Sequence, residues 1–132
     1  MVSLDHINMS VNNLPESLYW YKNVFNFEVV EQGEHKGLPY AIIKSNESML
    51  CLYELKDKIS PAENTNHKVY HFGLRVRDMD QWEKKISEQK LSINLQWNYP
   101  HSKAWYLSDP TGHEIEVTYW NDDKIKFNST VP

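Results

Sequence analysis

"LDHINMSVNNLPESLYWYKN" (residues 4–23) alternates polar and apolar residues like a strand, passes through a polar turn and continues as a helix. "VYHFGLRVRDMDQWEKKISE" (69–88) follows the same order of strand, turn and helix. His6 and His71 hold equivalent places in the two stretches, at an offset of 71 − 6 = 65. This correspondence predicts that the chain contains an internal repeat.

The same offset also aligns the ends of the two halves. "SMLCLY" (48–53) falls on "HEIEVT" (113–118), and Cys51 falls on Glu116, since 116 − 51 = 65. One shift without gaps therefore matches the first and the last strand of each half. Between them, each half has one amphipathic helix and further strand-like runs, namely "FEVVEQG" and "YAIIKS" in the first half and "SINLQW" and "AWYLS" in the second.

The two helices have recognisable starts. Asn13 or Leu14 precedes Pro15, a residue favoured in the first helical turn, and Asp78 or Asp80 can cap the second helix. The first helix is expected to bury Leu14, Leu18, Tyr21 and Phe25, and the second Trp82 and Ile86. The order is βαβββ twice, so the sequence predicts an α+β fold of two βαβββ modules that form a curved mixed sheet with a central cavity.

Composition narrows the class of protein. The chain has 132 residues, 40% hydrophobic and 13% aromatic, which is enough for a packed core. A net charge of −4 disfavours nucleic acid, and no apolar run is long enough to span a membrane. The first residues lack the pattern of a secretory signal, and the lone Cys51 fits a reducing compartment, so a cytoplasmic protein is expected.

Three polar residues on the strands suggest a metal centre. His6 and His71 begin equivalent strands, and Glu116 shares the polar face of the last strand with Glu114. Two imidazoles and a carboxylate are a common ligand set for a catalytic divalent metal such as Fe, Mn, Ni, Zn or Co. Taken singly, each residue is more often a surface or hydrogen-bonding group. Their symmetric placement favours a shared metal site, with Glu114 at its rim.

The residues resemble the vicinal oxygen chelate superfamily, which includes glyoxalase I, fosfomycin-resistance thiol transferases, bleomycin-resistance proteins and extradiol dioxygenases. The resemblance covers roughly residues 3–120 and is carried by "DHINMSV", "SLYWYKNVFNFEVVE", "YHFGLRV" and "WYLSDPTGHEIEV". It implies a single glyoxalase-like domain over residues 1–132, with module 1 (about 1–55), a linker (56–68), module 2 (about 69–120) and a short tail. It also implies a homodimer and the metal ligands His6, His71 and Glu116.

This chain differs from each branch of the family at particular residues, and these differences favour some activities over others. Glyoxalase I has a glutamate ligand where this chain has Cys51, and Glu54 is expected to face the other way. The fosfomycin-resistance enzymes use three ligands, which fits better. Their phosphonate-binding basic residues, however, are matched poorly, because only Lys103, Lys124 and Lys126 are near.

The extradiol dioxygenases place a histidine and a tyrosine before the Asp-Pro turn. His101 and Tyr106 precede Asp109 here, although the interval between them is shorter than in that pattern. The resemblance implies that His101 is an acid or base and that Tyr106 donates a hydrogen bond to the substrate. Alternatively, His101 lies in a mobile loop and Tyr106 only packs.

Strand parity identifies further residues that can face a small-molecule substrate. These are Asn8, Cys51 and Tyr53, with Tyr40 beside them. Asn8 can also orient the neighbouring His6, and Cys51 can equally be a small buried hydrophobe. His35, His67 and His113 are expected at the surface. No membrane or nucleic acid is expected as a partner.

The sequence therefore favours a metal-dependent glyoxalase-family enzyme that acts on a small metabolite chelated through adjacent oxygens. The reaction is expected to be of the lyase, isomerase or thiol-transferase type. One alternative is a small extradiol-type Fe(II) dioxygenase. Another is a metal-free protein that binds and sequesters a drug, as the bleomycin-resistance members do. A purely structural metal site is disfavoured, because such sites are normally closed by four protein ligands.

Overall fold

The computed structural model describes residues 1, 3–60 and 69–122. The fold is α+β, and it confirms the two βαβββ modules. Residues 61–68 of the expected linker, with His67, and the tail from residue 123, with Lys124 and Lys126, lie outside the described residues. The elements are β1 (Ile7–Val11), α1 (Leu14–Phe25), β2 (Glu28–His35), β3 (Leu38–Ser45), β4 (Ser48–Glu54), β5 (Phe72–Val76), α2 (Met79–Glu88), β6 (Leu95–Asn98), β7 (Ser102–Ser108) and β8 (Glu114–Trp120).

The described chain divides into two compact units. Unit 1 contains the residues up to 60 together with 110–112, and unit 2 contains 69–109 and 113–122. Unit 1 has a four-stranded sheet in the order β1-β4-β3-β2, in which β1 runs parallel to β4 and the other pairs are antiparallel. Unit 2 repeats this arrangement in the order β5-β8-β7-β6.

Helix α1 begins and ends at residues with clear capping roles. The side chain of Asn13 accepts the backbone N–H of Glu16, and Pro15 lies in the first turn, so Asn13 is the N-cap. Asn26 ends the helix with a φ of 59°, the left-handed conformation in which Asn is one of the better-tolerated residues. The sequence was correct about the start of this helix.

The buried stripe of α1 is shifted from the predicted one. Leu14 and Tyr21 are buried as expected, but Leu18 and Phe25 are only half-buried. Ser17 and Val24 complete the buried face. A buried serine on this face is a position that apolar periodicity alone does not detect.

Helix α2 packs on the corresponding face of unit 2. Asp78 rather than Asp80 is the N-cap, because its side chain accepts the backbone N–H of Gln81 at 3.0 Å. Trp82 is buried and its ring meets that of Trp105 edge to face at 6.4 Å. Alternate residues of β7 and β8 therefore face α2, and the residues between them form a helix-free face.

Strand boundaries differ slightly from the expected ones. His6 and His71 directly precede β1 and β5 instead of beginning them. β6 is shorter than its alternating pattern and begins at Leu95. The one-residue differences at β1 and β5 are within the ambiguity of strand ends, whereas β6 begins three residues after the start of the run SINLQW (92–97).

Residues 110–112, which come from the second half of the sequence, belong to unit 1. There the hydroxyl of Thr111, 1% exposed, accepts the backbone N–H of Asn12 at 3.0 Å. The side chain of Asn12 in turn bonds both backbone groups of Ile59. The Asp-Pro turn is thus part of the structure that holds the end of β1.

Candidate metal centre and substrate face

Two of the predicted metal ligands meet in unit 2. His71 directly precedes β5, and Glu116 lies in the middle of β8, the parallel neighbour of β5. The Nε2 atom of His71 lies 3.1 Å from Oε2 of Glu116. Two atoms that each bind one metal ion at roughly 2.1 Å, about 90–109° apart, are separated by roughly 3.0–3.4 Å. The chemistry and the spacing of the pair therefore fit two positions of a divalent metal site.

Partial exposure keeps this pair accessible. The side chain of His71 is 38% exposed and that of Glu116 is 21% exposed. Gly73 is the partner of Glu116 on β5, and it leaves that side of the carboxylate without a side chain. A small ligand can therefore approach the pair from the helix-free face of unit 2.

Tyr106 holds the second oxygen of the carboxylate. It is the partner of Glu116 on β7, and its hydroxyl donates to Oε1 of Glu116 at 2.9 Å. Its ring lies edge to face with the His71 imidazole, with the ring centres 5.6 Å apart. Burial, together with hydrogen bonds to Tyr99 and Glu116, raises the pKa of Tyr106 above its usual range. The phenol therefore stays protonated and acts as a donor.

His101 does not project freely. Its imidazole is stacked between Tyr99 at 5.6 Å and Trp120 at 4.8 Å, and its Nδ1 lies 2.8 Å from the hydroxyl of Ser102. Asn121 bonds the backbone oxygens of Pro100 and His101. The turn around His101 is therefore held by ring stacking and by hydrogen bonds. Tyr99 is, after burial, a cause of the raised pKa of Tyr106, so the ring stack adjoins the phenol that bonds Glu116.

His6 lies in unit 1, on the exposed approach to β1. Its Nδ1 is 2.7 Å from a carboxylate oxygen of Asp5. Histidines that bind a metal commonly use one ring nitrogen for the metal and the other for such a carboxylate, which fixes the ring. The contact leaves Nε2 of His6 outside this pair, an orientation suited to a metal ligand.

Within the described parts of the chain, residues 1, 3–60 and 69–122, no group of three or more His, Cys, Asp or Glu side chains is placed to hold a metal ion. The structure brings His71 and Glu116 together within unit 2. The assignment of His6 as the third ligand stays a prediction.

The predicted substrate-binding residues lie on the face of the unit 1 sheet that is turned away from α1, which is the helix-free face of this unit. Asn8 is the partner of Cys51, and Ser10 is the partner of Tyr53. Cys51 is 8% exposed, and burial, followed by the charge of Glu31, raises the pKa of its thiol, so the thiol is protonated. Glu54 faces away, as expected, since its carboxylate accepts the backbone N–H of Leu14 at the start of α1.

The positive charges considered for anion binding are placed differently. Lys103 points toward α2, where it pairs with Glu83 at 3.0 Å and lies over the ring of Trp105. Arg75, which was not considered for anion binding from the sequence, is the partner of Thr118 on the helix-free face, and it donates to the backbone oxygen of Asp122. Strand alternation does place Arg75 on this face, because it lies two residues after Gly73.

Glu114 and His35 both lie at the surface. Glu114 is exposed, in agreement with a rim position, and His35 is exposed on β2. Asp5, Tyr99 and Glu31 were not anticipated as neighbours of site residues. Asp5 was recognisable from its place beside His6, whereas Tyr99 approaches Tyr106 from a turn that has no periodic pattern.

Similarity to known proteins extends over most of the chain. A family model described as Glyoxalase/Bleomycin resistance protein/Dioxygenase superfamily matches residues 3–117. Metallothiol transferase FosB of Staphylococcus epidermidis is 25% identical over 89% of this chain and 81% of its own length. Catechol-2,3-dioxygenase of Bacillus subtilis is also 25% identical, over 86% of this chain but 40% of its own length.

Solved structures share the fold. A glyoxylase/bleomycin resistance protein/dioxygenase domain from Frankia sp. superposes with a TM-score of 0.77 at 15% identity, covering 94% of this chain and 96% of its own. A fosfomycin resistance protein, FosX, from Listeria monocytogenes, solved with Mn(II) and a dihydroxypropylphosphonic acid, has a TM-score of 0.73 at 14% identity, covering 92% and 94% of the two chains. No described helix is long and apolar enough to cross a membrane.

Proposed function

Because this chain belongs to the Glyoxalase/Bleomycin resistance protein/Dioxygenase superfamily, we propose that it is a metal-dependent enzyme acting on a small metabolite chelated through adjacent oxygens. The reaction is of the lyase, isomerase or thiol-transferase type. The observation that carries the proposal is the accessible His71–Glu116 pair, whose carboxylate is fixed by Tyr106. Similarity to a metallothiol transferase over 89% of the chain supports thiol transfer within this class.

The metal ligands in this proposal are His6, His71 and Glu116. A bound divalent ion supplies Lewis acidity to the chelated oxygens of the substrate. The ligand set suits Fe, Mn, Ni or Zn, and the FosX structure solved with Mn(II) makes Mn the first metal to test.

The other residues bind and orient. Tyr106 holds the Glu116 carboxylate with its hydroxyl proton, which keeps the carboxylate in one rotamer. Asn8, Cys51 and Tyr53 line the substrate side of unit 1. Because the Cys51 thiol is protonated and only 8% exposed, it contacts substrate as a small apolar group, and the attacking thiol comes from a second substrate.

Metal analysis tests the proposal. The full chain is dialysed against Mn, Fe(II), Ni or Zn salts, and the bound metal is measured per chain. We expect one ion per chain in the wild type and loss of tight binding in Glu116→Gln and His71→Ala. Glu114→Gln, which changes the exposed carboxylate on the same strand, is the matched control and is expected to keep the metal. Stoichiometric metal retained in Glu116→Gln contradicts the ligand assignment.

A second candidate is a small extradiol-type Fe(II) dioxygenase. The observation in its favour is the similarity to catechol-2,3-dioxygenase, with Tyr106 bonded to Glu116. In this reading Tyr106 and His101 assist proton transfer at the substrate. Oxygen uptake by the Fe(II)-loaded protein with catechols distinguishes it from thiol addition, which consumes no oxygen. A metal-free sequestering role is disfavoured, because it would not explain why His71 and Glu116 are paired at an accessible position.

The assembly is part of the same proposal. Both modules form one domain over residues 1–132, and two cytoplasmic chains form a homodimer in which the partner's His6 completes each His71–Glu116 pair. Exposed apolar residues beside both histidines, namely Leu4, Val69 and Tyr70, favour a covered surface there.

A further inference from the structure

The helix-free face of unit 1 carries two stacked phenol rings. Tyr53 on β4 is the register partner of Tyr40 on β3, and Tyr40 is the partner of Gly33 on β2. The rings of Tyr40 and Tyr53 are nearly parallel, 20° apart, with their centres 5.3 Å from each other. A Cβ atom at Gly33 would lie 3.3 Å from the Tyr40 ring, so Tyr40 lies directly over the glycine.

Neighbouring groups surround both rings. Burial, followed by the charge of Glu31, raises the pKa of Tyr40, and the Tyr53 hydroxyl interacts with the thiol of Cys51. His35 meets Tyr53 edge to face at 6.2 Å. Both tyrosines nevertheless remain partly exposed. A surface ring that is already held in place binds a second ring without losing much further conformational freedom.

The repeat supplies an internal comparison. The row across unit 1 reads Ser10, Tyr53, Tyr40, Gly33, and the matching row across unit 2 reads Arg75, Thr118, Ala104, Trp97. Unit 2 thus forms the same sheet with Thr118 and Ala104 at the two tyrosine positions. The fold therefore does not require paired rings at these positions. A functional role on the helix-free face explains Tyr40 and Tyr53 better than a structural role.

We propose that Tyr53, supported by Tyr40 on Gly33, is a stacking platform for a planar aromatic ring of the substrate. The inference deepens the proposed function, because it names an aromatic substrate class for the same site. An aromatic ring of the substrate, stacked with an offset on Tyr53, would extend the stack that Tyr40 and Tyr53 already form.

The position of the platform sets the shape of the ligand. Ser10, the partner of Tyr53, lies four residues after His6, which corresponds to about 13 Å along a strand. Side chains from both ends shorten this distance. A substrate that reaches both the platform and a metal ion bound at His6 therefore carries its ring on an arm of several bonds from the chelating oxygens.

Two carboxylates of matched length test the platform. 4-Phenylbutanoate and 4-cyclohexylbutanoate share the oxygen group and the arm, and they differ in whether the ring is planar and aromatic. Binding of each to the full metal-loaded chain is measured by titration. The wild type is expected to bind the phenyl compound about three- to tenfold more tightly.

Variants assign this preference to the platform. Tyr53→Leu is expected to bring the ratio of the two affinities close to one, and Tyr53→Phe to keep it. Trp97→Leu, which removes an exposed ring from the matching row of unit 2, is the control and should leave the ratio unchanged. Equal binding of both compounds by the wild type, or an unchanged ratio in Tyr53→Leu, overturns the inference.

The outcome is independent of the metal assignment. If His71→Ala weakens both compounds alike and leaves their ratio intact, the metal centre and the platform are separate contributions. If the protein binds no metal, the ratio in the metal-free protein still tests the platform. Failure of the proposed function and failure of the platform therefore give different results.

Discussion

At the scale of single residues, Tyr106 is the contact that organises the candidate centre. Its hydroxyl holds one oxygen of Glu116 while the other oxygen faces His71. An unheld carboxylate would sample several rotamers and lose freedom on binding a metal. Tyr106 is therefore expected to affect metal binding without being a ligand itself.

Tyr106→Phe is expected to lower metal affinity by about 10- to 100-fold, since it removes a hydrogen bond to a ligand but not the ligand. Competition against a chelating dye measures the change. Tyr119→Phe, on the helix-facing side of the same β8 strand, is the control and should retain wild-type affinity. Equal affinity of Tyr106→Phe and the wild type would show that Glu116 is held by other contacts.

The stacking platform also depends on the absence of a side chain at Gly33, beneath the Tyr40 ring. Gly33→Ala places a methyl group 3.3 Å from the Tyr40 ring, so the ring must move by a few tenths of an ångström. We expect the preference for 4-phenylbutanoate to fall while the thermal midpoint changes little, because Gly33 lies at the exposed edge of the sheet. Gly37→Ala is an unsuitable control, as its φ of 78° makes any side chain costly.

At the scale of elements, a hydrogen bond to a charged carboxylate connects α1 with β4. Glu54 at the end of β4 accepts the backbone N–H of Leu14 in the first turn of the helix. This hydrogen bond, followed by the neighbouring Lys58, lowers the pKa of Glu54 below its usual range. Because the pKa is lower in the folded chain, ionised Glu54 stabilises the fold above the pKa of the unfolded chain.

Glu54→Gln is expected to reduce the free energy of unfolding by roughly 0.5–1 kcal/mol at neutral pH. The difference from the wild type should vanish as the pH falls below about 4.3, the ordinary value for Glu, and through the lowered pKa of the folded chain. Urea unfolding at a series of pH values measures it. Glu47→Gln, in the exposed turn after β3, is the control; a constant deficit at acid pH would refute the charge effect.

The elements were largely predictable, and particular residues show why. Asn13 and Asp78 cap helices by a local bond to the third residue after them, so a short window of sequence reveals them. Alternation likewise placed Asn8, Cys51 and Glu116 on the correct faces. Tyr99 and Glu31 escaped prediction because their partners depend on register between strands and on a turn, neither of which follows from one strand alone.

At the scale of the whole molecule, the proposed dimer makes a prediction about mixtures. His6→Ala chains retain His71 and Glu116, and His71→Ala chains retain His6. If each centre takes His6 from the other chain, a mixed dimer has one intact centre and one that lacks both histidines.

Refolding the two variants together is therefore expected to restore up to half of the wild-type metal content per mixed dimer, while each variant alone binds none tightly. Ultracentrifugation of the same samples checks that dimers form. If mixing restores no metal although mixed dimers are present, the three ligands come from one chain and the shared-centre proposal is wrong.

The hydrogen bond between Asn12 and Thr111 bears on how the repeat evolved. A repeat of this kind is the expected product of gene duplication, and the first half still has its own sheet and helix. Yet its β1 end is held by a hydroxyl that the second copy supplies, since the backbone N–H of Asn12 donates to Thr111. The first half therefore does not itself supply every contact that holds the end of its β1 strand. A gene truncated after residue 60 would encode a sheet with one of its own terminal contacts missing.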